Sequence, residues 1–223
     1  MKGKVVVVMG AGSSGDGFGN GKACAVTYAA AGAAVVCVDN ELHRAEQTSS
    51  LIASDGGTAI ALEADATNES SVQSVIDGAV TAFGGIDVMH NNVGAGGTSG
   101  PADQIAPDAW DREIAQNLTT AYLGIRCAVP ALRARGGGVI INVSSTLAVR
   151  FFARSSAAYT ASKAAVEALT KTSAVAYGRD NIRVNCIRIG FSESPLVMRG
   201  LAHLSDDERE RALDKTRAKV PLR

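Results

Sequence analysis

An excess of charge of either sign is missing from this sequence. Its 22 Lys and Arg residues cancel 22 Asp and Glu, and no basic cluster stands out along the 223 residues. Neither a nucleic-acid groove nor an anionic membrane surface finds an electrostatic footprint, so no nucleic-acid and no membrane partner is expected. Cysteine is sparse. Cys24, Cys37, Cys127 and Cys186 lie far apart in apolar contexts, without CxxC spacing or the density of a disulfide scaffold. They read as small buried hydrophobes in a reducing, cytoplasmic setting. His43, His90 and His203 show no ligand spacing among themselves, and no metal site is expected. The N-terminal run of valines stops at Gly10, too short for a signal peptide, and the uncharged residues 23–38 are interrupted by Gly32 and too short to cross a bilayer. Aromatic residues make up only 4%, whereas 24 glycines and abundant Ala favour close backbone packing and backbone contact with a ligand.

What is present is core material: 46% hydrophobic residues against 20% charged, with a mean hydropathy of +0.10. Such a chain folds, and its length suits one large α/β domain over residues 1–223. Short apolar runs alternate with longer helical patterns, with no linker or repeat between them. Strands are predicted at Lys4–Met9, Ala34–Asp39, Thr58–Glu63, Ile86–His90, Gly138–Val143 and Arg183–Ile189. Helices are predicted at Gly21–Ala31, His43–Ser54, Asn68–Phe83, Asp108–Arg135 and Ala157–Tyr177. Right-handed crossovers wind this order into an α/β, Rossmann-like, doubly wound parallel sheet of six strands with helices on both faces. Ser205, followed by Asp206, Asp207 and Glu208, is the N-cap of a last amphipathic helix reaching Lys219, and residues 191–219 are expected to form a substrate loop or lid.

The first strand runs directly into Gly10-Ala11-Gly12-Ser13-Ser14-Gly15-Asp16-Gly17-Phe18-Gly19-Asn20-Gly21 and an Ala-rich helix. Glycines let a backbone approach a pyrophosphate, and the helix N-terminus favours its negative charge. Gly10-x-Gly12-x-x-Gly15 matches the dinucleotide fingerprint, although a stretch so rich in glycine is also what a surface turn uses. Asp39 then ends the next strand at the spacing of about 20 residues where a carboxylate accepts from an adenosine ribose.

From these residues the sequence resembles the short-chain dehydrogenase/reductase family over essentially its whole length. The glycine loop looks like the family's Thr-Gly-x-x-x-Gly-x-Gly turn, with Met9 in place of Thr and five extra residues before Gly19-Asn20-Gly21. Asp65-Ala66 looks like the adenine-contacting pair; Asp65 also reads as a plain helix N-cap ahead of Thr67, Asn68 and Glu69. Asn91-Asn92-Val93-Gly94 is similar to the turn after strand four, Trp110 and Asn117 to the helix carrying the catalytic Asn, and Ser144-Ser145 to the end of the catalytic Ser strand. Tyr159-Thr160-Ala161-Ser162-Lys163 is the Tyr-x-x-x-Lys signature, while Ile189-Gly190 and Ser194-Pro195 stand where Pro-Gly and Thr-Pro are usual.

The resemblance implies hydride transfer between NAD(H) and a secondary alcohol or ketone. Catalytic residues would be Asn117, Ser145, Tyr159 and Lys163. Cofactor contacts would come from Gly10, Gly12, Ser13, Ser14, Gly19, Asn20, Asp39, Asp65, Ala66, Asn92, Val93, Gly94, Tyr159, Lys163 and Gly190. Lys163, at i+4, is expected to lower the Tyr159 phenol towards operating pH. Asp39 argues for NAD, since a carboxylate repels a 2′-phosphate, and Arg44 keeps NADP open. The alternatives are an NADPH-dependent ketoreductase of 3-oxoacyl-thioester type and a dinucleotide-binding protein without turnover. Leu147, Phe151, Phe152, Phe191 and Leu196 are expected to line an apolar pocket shaped by the loop from Ala148 to Ser156; His90 and Cys186 read as core. The family also continues after Val220-Pro221-Leu222 with a helix and a seventh strand. Without them, strand six is expected to be an edge, and the chain to associate through its two long helices as a homodimer, with the homotetramer as the other form.

Overall fold

The computed structural model describes residues 1–96, 100–150 and 156–218. Strands β1 (Val5–Met9), β2 (Ala34–Asp39), β3 (Thr58–Glu63), β4 (Val88–Asn91), β5 (Gly138–Ser145) and β6 (Ile182–Ile189) form one parallel sheet in the order β3-β2-β1-β4-β5-β6. Chain direction across the sheet reverses between β1 and β4, so a crevice opens at the carboxyl ends of those strands.

The sequence explains why β1 is central. Four consecutive valines and Met9 are all buried, as a strand covered on both faces requires. Their alternation divides the core into two layers. Val5, Val7 and Met9 pack with Val72 and Ile76 of α3 (Glu69–Phe83) and Leu132 of α5 (Thr120–Ala134). Val6 and Val8 face the other way, onto Ala25 and Ala29 of α1 (Asn20–Ala30) and Ile52 of α2 (Leu42–Ser54). Fully burying each valine contributes on the order of 1.5–3 kcal/mol.

The predicted helix from Asp108 to Arg135 is divided in the structure. Helix α4 (Pro107–Ile114) passes through a π-helical turn at Ala115–Thr119 before α5 begins. Helix α6 (Ala157–Tyr177) follows β5 with the predicted boundaries, and a short helix that the sequence reading missed, α7 (Pro195–Gly200), starts at Pro195, as prolines at a first helical turn do. Helix α8 (Asp206–Arg217) is capped as expected: Ser205 and Glu208 form a reciprocal capping box. Arg217 holds Glu193 by two bonds of 2.6 and 2.8 Å, tying α8 to the segment after β6. The tail at Val220-Pro221-Leu222, with Lys219, lies outside the described residues. Among the described residues β6 pairs only with β5, and Ile187 on its open face is 48% exposed.

Two expectations about cysteine need correction. Cys37 and Cys127 are buried, but Cys24 and Cys186 are only half-buried, because α1 and β6 each leave one side incompletely covered. His90 is buried as expected. Its Nδ1 lies 3.1 Å from the Tyr28 hydroxyl, and burial pushes its pKa down to about 4, so it is neutral at physiological pH. No helix among the described residues is long and apolar enough to cross a membrane.

At the amino end of the sheet, Asp87 fastens three elements. Its carboxylate accepts from the Val5 N–H (2.9 Å), Lys4 Nζ (2.9 Å) and Arg135 Nη2 (3.4 Å). Burial alone would raise its pKa, but these donors outweigh that and hold it below the usual carboxylate value. The stability it contributes is therefore present above the unfolded value near ~3.9 and lost as pH falls through the folded one. Asp87→Asn should cost about 2 kcal/mol at neutral pH in urea denaturation, and parent and variant should converge in acid. Equal loss at both pH values would contradict this assignment.

Candidate active site

The glycine loop is built by close approach. Gly10 leaves β1 with φ +74, and a methyl on Gly21 would lie 1.8 Å from the Gly10 carbonyl oxygen, so only glycine lets the first turn of α1 fold onto the strand end. Gly19 is the N-cap of α1 and makes no side-chain cap to the helix's first N–H groups. Ala11 N–H donates to Val38 O (2.8 Å) and Gly12 N–H to Asp39 Oδ2 (3.1 Å), which stitches the loop to β2.

A cavity of about 510 Å³ spans the carboxyl ends of the strands. Gly10, Gly12, Ser13, Ser14, Gly19 and Asn20 line one side, with Asp39, Asp65 and Ala66 beyond them. Asn92, Val93 and Gly94 form the floor after β4, where Asn92 Nδ2 donates to Gly10 O at 3.0 Å; Ser145, Tyr159, Lys163 and Gly190 complete the far wall. Asp65 is not the cap of α3. Asn68 holds that position, accepting from Ser71 N, while Asp65 Oδ1 accepts from the Thr67 N–H and hydroxyl in a local turn. Phe191 and Leu196 line the cavity, but Leu147 does not, because the turn at Thr146–Ala148 carries it aside; Phe151 and Phe152, with most of their loop, lie outside the described residues.

Tyr159 and Lys163 occupy successive turns of α6. Ser156 caps the helix, accepting the Tyr159 N–H at 3.2 Å, and its hydroxyl reaches Glu113 Oε2 at 3.3 Å, which fixes the first turn of α6 against α4. Lys163 is 3% exposed and donates Nζ to Val143 O at 3.0 Å, lying 5.8 Å from the centre of the Tyr159 ring. Loss of water around the ammonium pushes its pKa down to about 8. The expected lowering of Tyr159 is not found. Burial raises the phenol above its ordinary value, a hydrogen bond with Ser145 opposes that shift, and the Glu113 charge adds to it.

Asn117 sits in the π-helical turn, a local widening that often marks functional positions. Its Nδ2 donates to Ala95 O (2.9 Å) and Glu113 O (3.0 Å), while buried Oδ1 has no partner among the described residues. A methyl on Gly94 would come 2.7 Å from Lys163 Nζ and 2.8 Å from that oxygen, so Asn117 reaches the site across this glycine.

Sequence reasoning also missed the support behind Lys163. Ser144 Oγ stands 3.0 Å from the Lys163 carbonyl and 3.1 Å from Glu167 Oε1, and Arg188 grips Glu167 by two bonds of 2.6 Å. The Arg188 guanidinium holds the Glu167 carboxyl below its usual range. Ser144 and Arg188 are register partners in β5 and β6, so this node joins both strand ends to the turn of α6 that bears the lysine. The i,i+4 relation of Lys163 to Glu167 was the only signal available in the sequence.

A family model described as short chain dehydrogenase matches residues 4–203. The chain belongs to that family, whose Rossmann-type nucleotide-binding fold and oxidoreductase class it shares. It is 32% identical over 194 residues to cyclohexanol dehydrogenase of Acinetobacter sp., covering 87% of this chain and 75% of that protein. It is 37% identical, with the same coverage, to cis-4-hydroxycyclohexanecarboxylate dehydrogenase of Sinomonas cyclohexanicum. A solved Burkholderia xenovorans structure assigned to the short-chain dehydrogenase/reductases superposes with a TM-score of 0.93 at 35% identity, covering 99% of this chain and 83% of that one.

Burying Lys163 costs stability. Its folded pKa of about 8 lies below the value of 10.5 for a free lysine, so the unfolded chain binds more protons between those limits and stability should rise with pH across them. Lys163→Met should raise stability at pH 7 by about 1–2 kcal/mol, less than the shift alone implies because the Val143 carbonyl loses its donor. The variant should also lack the alkaline rise. Urea denaturation at neutral and alkaline pH checks both, and a destabilised variant would contradict the argument.

Proposed function

We propose that this chain is an NAD(H)-dependent dehydrogenase that interconverts cyclic secondary alcohols and their ketones. The observation that carries this reading is the convergence of Ser145, Tyr159 and Lys163 on one cavity that the glycine loop also lines. The residues fit a dinucleotide: Gly10, Gly12, Gly19 and Gly21 bring bare backbone to the cavity lining, and the N-terminus of α1 beside them carries no side-chain cap. Asp39 would take ribose hydroxyls and Lys163 those of the second ribose, with Asp65 and Ala66 beside the adenine. When bound, the nicotinamide supplies or accepts the hydride.

The chain's own groups handle the oxygen. Ser145 orients the substrate oxygen by a hydrogen bond, and Tyr159 exchanges a proton with it. Lys163 and a water accepted by Asn117 Oδ1 would connect that proton to solvent. The cyclic-alcohol assignment draws on the cyclohexanol and hydroxycyclohexanecarboxylate dehydrogenase relatives and on the apolar Phe191, Leu196 and Val197 that line the cavity. Four free thiols accord with a cytoplasmic protein.

Cyclohexanol and substituted cyclohexanones, followed by nicotinamide absorbance, test the reading. Tyr159→Phe should keep dinucleotide binding and lose at least ~10²-fold in turnover. Tyr159 gives up a proton in ketone reduction and takes one in alcohol oxidation, so rising pH should favour oxidation over reduction. Undiminished turnover in the variant would remove Tyr159 from the mechanism.

The reading extends to association. Tyr122, Val129, Leu169 and Tyr177 line a groove between α5 and α6, and Tyr122 is 45% exposed. A second copy packed on this face makes a homodimer. Light scattering should give twice the chain mass, and Tyr122→Glu should return it to a monomer.

A further inference from the structure

Asp39 ends β2 with both carboxylate oxygens held by backbone. Oδ2 accepts the Gly12 N–H at 3.1 Å and Oδ1 the Glu41 N–H at 3.2 Å. The charge is thereby pinned between the glycine loop and the start of α2. Arg44 meets it there: a methyl on Gly12 would lie 2.5 Å from Asp39 Oδ2 and 2.6 Å from Arg44 Cβ, and both residues line the cavity. The guanidinium nevertheless pairs with Glu41, Nη2 to Oε1 at 2.7 Å, and His43 Nε2 stands 3.9 Å from the other Glu41 oxygen.

This pairing does little for the fold. Glu41 is 43% exposed, and pairs of that kind contribute at most about 1 kcal/mol. Glu41 is also the N-cap of α2 without its side chain making a capping bond. What the pair changes is the charge presented to a ligand. An arginine beside Asp39 is the group best suited to a phosphate and could offset the carboxylate's repulsion. With Glu41 present the Arg44 guanidinium is already held by a carboxylate, and a phosphate that drew Arg44 away would leave Glu41 uncompensated.

We propose that Glu41 is a specificity-determining residue: by holding Arg44 it withholds from a 2′-phosphate the guanidinium of an arginine that lines the cavity together with Asp39, and so excludes NADP(H) jointly with Asp39. The inference rests on the dinucleotide reading above. Binding rather than turnover tests it, through fluorescence titration of NADH and NADPH against the parent, Glu41→Gln and Glu41→Gln/Arg44→Ala. The parent should favour NADH. Glu41→Gln should raise the NADPH-to-NADH affinity ratio about tenfold, the scale of one charge-assisted pair, and the double variant should return to the parent ratio. The thermal midpoint of Glu41→Gln should match the parent's, as its lack of a capping bond requires. An unchanged ratio in Glu41→Gln, or a gain that survives loss of Arg44, overturns the proposal while leaving dinucleotide binding intact. A parent that binds neither dinucleotide overturns the reading beneath it, and this inference with it.

Discussion

The ammonium of Lys163 is held almost dry, and much of the site's architecture follows from keeping it there. An ion removed from water needs compensation from fixed dipoles. Here the Val143 backbone carbonyl accepts from it at 3.0 Å. Gly94 keeps its Cβ position empty so that the ammonium and Asn117 Oδ1 can approach, and the π-helical turn supplies the extra residue that brings Asn117 inward. Behind the lysine, Ser144, Glu167 and Arg188 fix the helix turn without contacting the ammonium.

Stability and chemistry are divided between the two ends of the sheet. At the amino ends, Asp87 gathers three donors and leaves nothing for a ligand. At the carboxyl ends, glycines replace side chains, buried polar atoms such as Asn117 Oδ1 are left open, and a lysine is desolvated. Parallel strands make the division possible, because every strand delivers its end to the same edge. Between the two edges, a buried chain from Asn91 to Asn142 to Thr170, with bonds of 2.8 and 2.9 Å, locks β4, β5 and α6 in register. Asn91 Oδ1 fits only because Gly124 carries no side chain there.

Strand and helix identity were legible because they depend on local pattern. The valine runs, the Ala-rich helix after the glycine loop and the Ser205 cap are all near-neighbour signals, and their positions agree with the structure to within a residue or two at most boundaries. The cavity-facing loops were legible from glycine and asparagine spacing for the same reason. What could not be read depends on contacts distant in sequence. The π-helical turn at Ala115–Thr119 falls inside a continuous helical pattern that hides it. The Glu167 to Arg188 pair joins a helix to a strand 21 residues on. The misjudged Tyr159 is the instructive case, since adjacency to Lys163 was visible and the depth of burial was not.

That depth reverses the usual account of the pair. A cation lowers a neighbouring phenol only while it is charged, yet desolvation brings Lys163 down to about 8 and lifts Tyr159 above its ordinary value. In the site as folded, rising pH therefore removes the lysine proton before the tyrosine proton, and the electrostatic help expected for Tyr159 disappears first. Polar groups that solvate the ammonium restore it. Ribose hydroxyls at Lys163 and a water on Asn117 Oδ1 would do so by replacing lost hydration, raising the lysine and, through its retained charge, lowering the tyrosine. Binding and proton affinity at Lys163 are then linked, so a ligand that solvates Lys163 would bind more tightly to the protonated site than to the neutral one. In the proposed mechanism, the help that Lys163 would give Tyr159 therefore depends on what solvates the ammonium and not on the i,i+4 spacing alone.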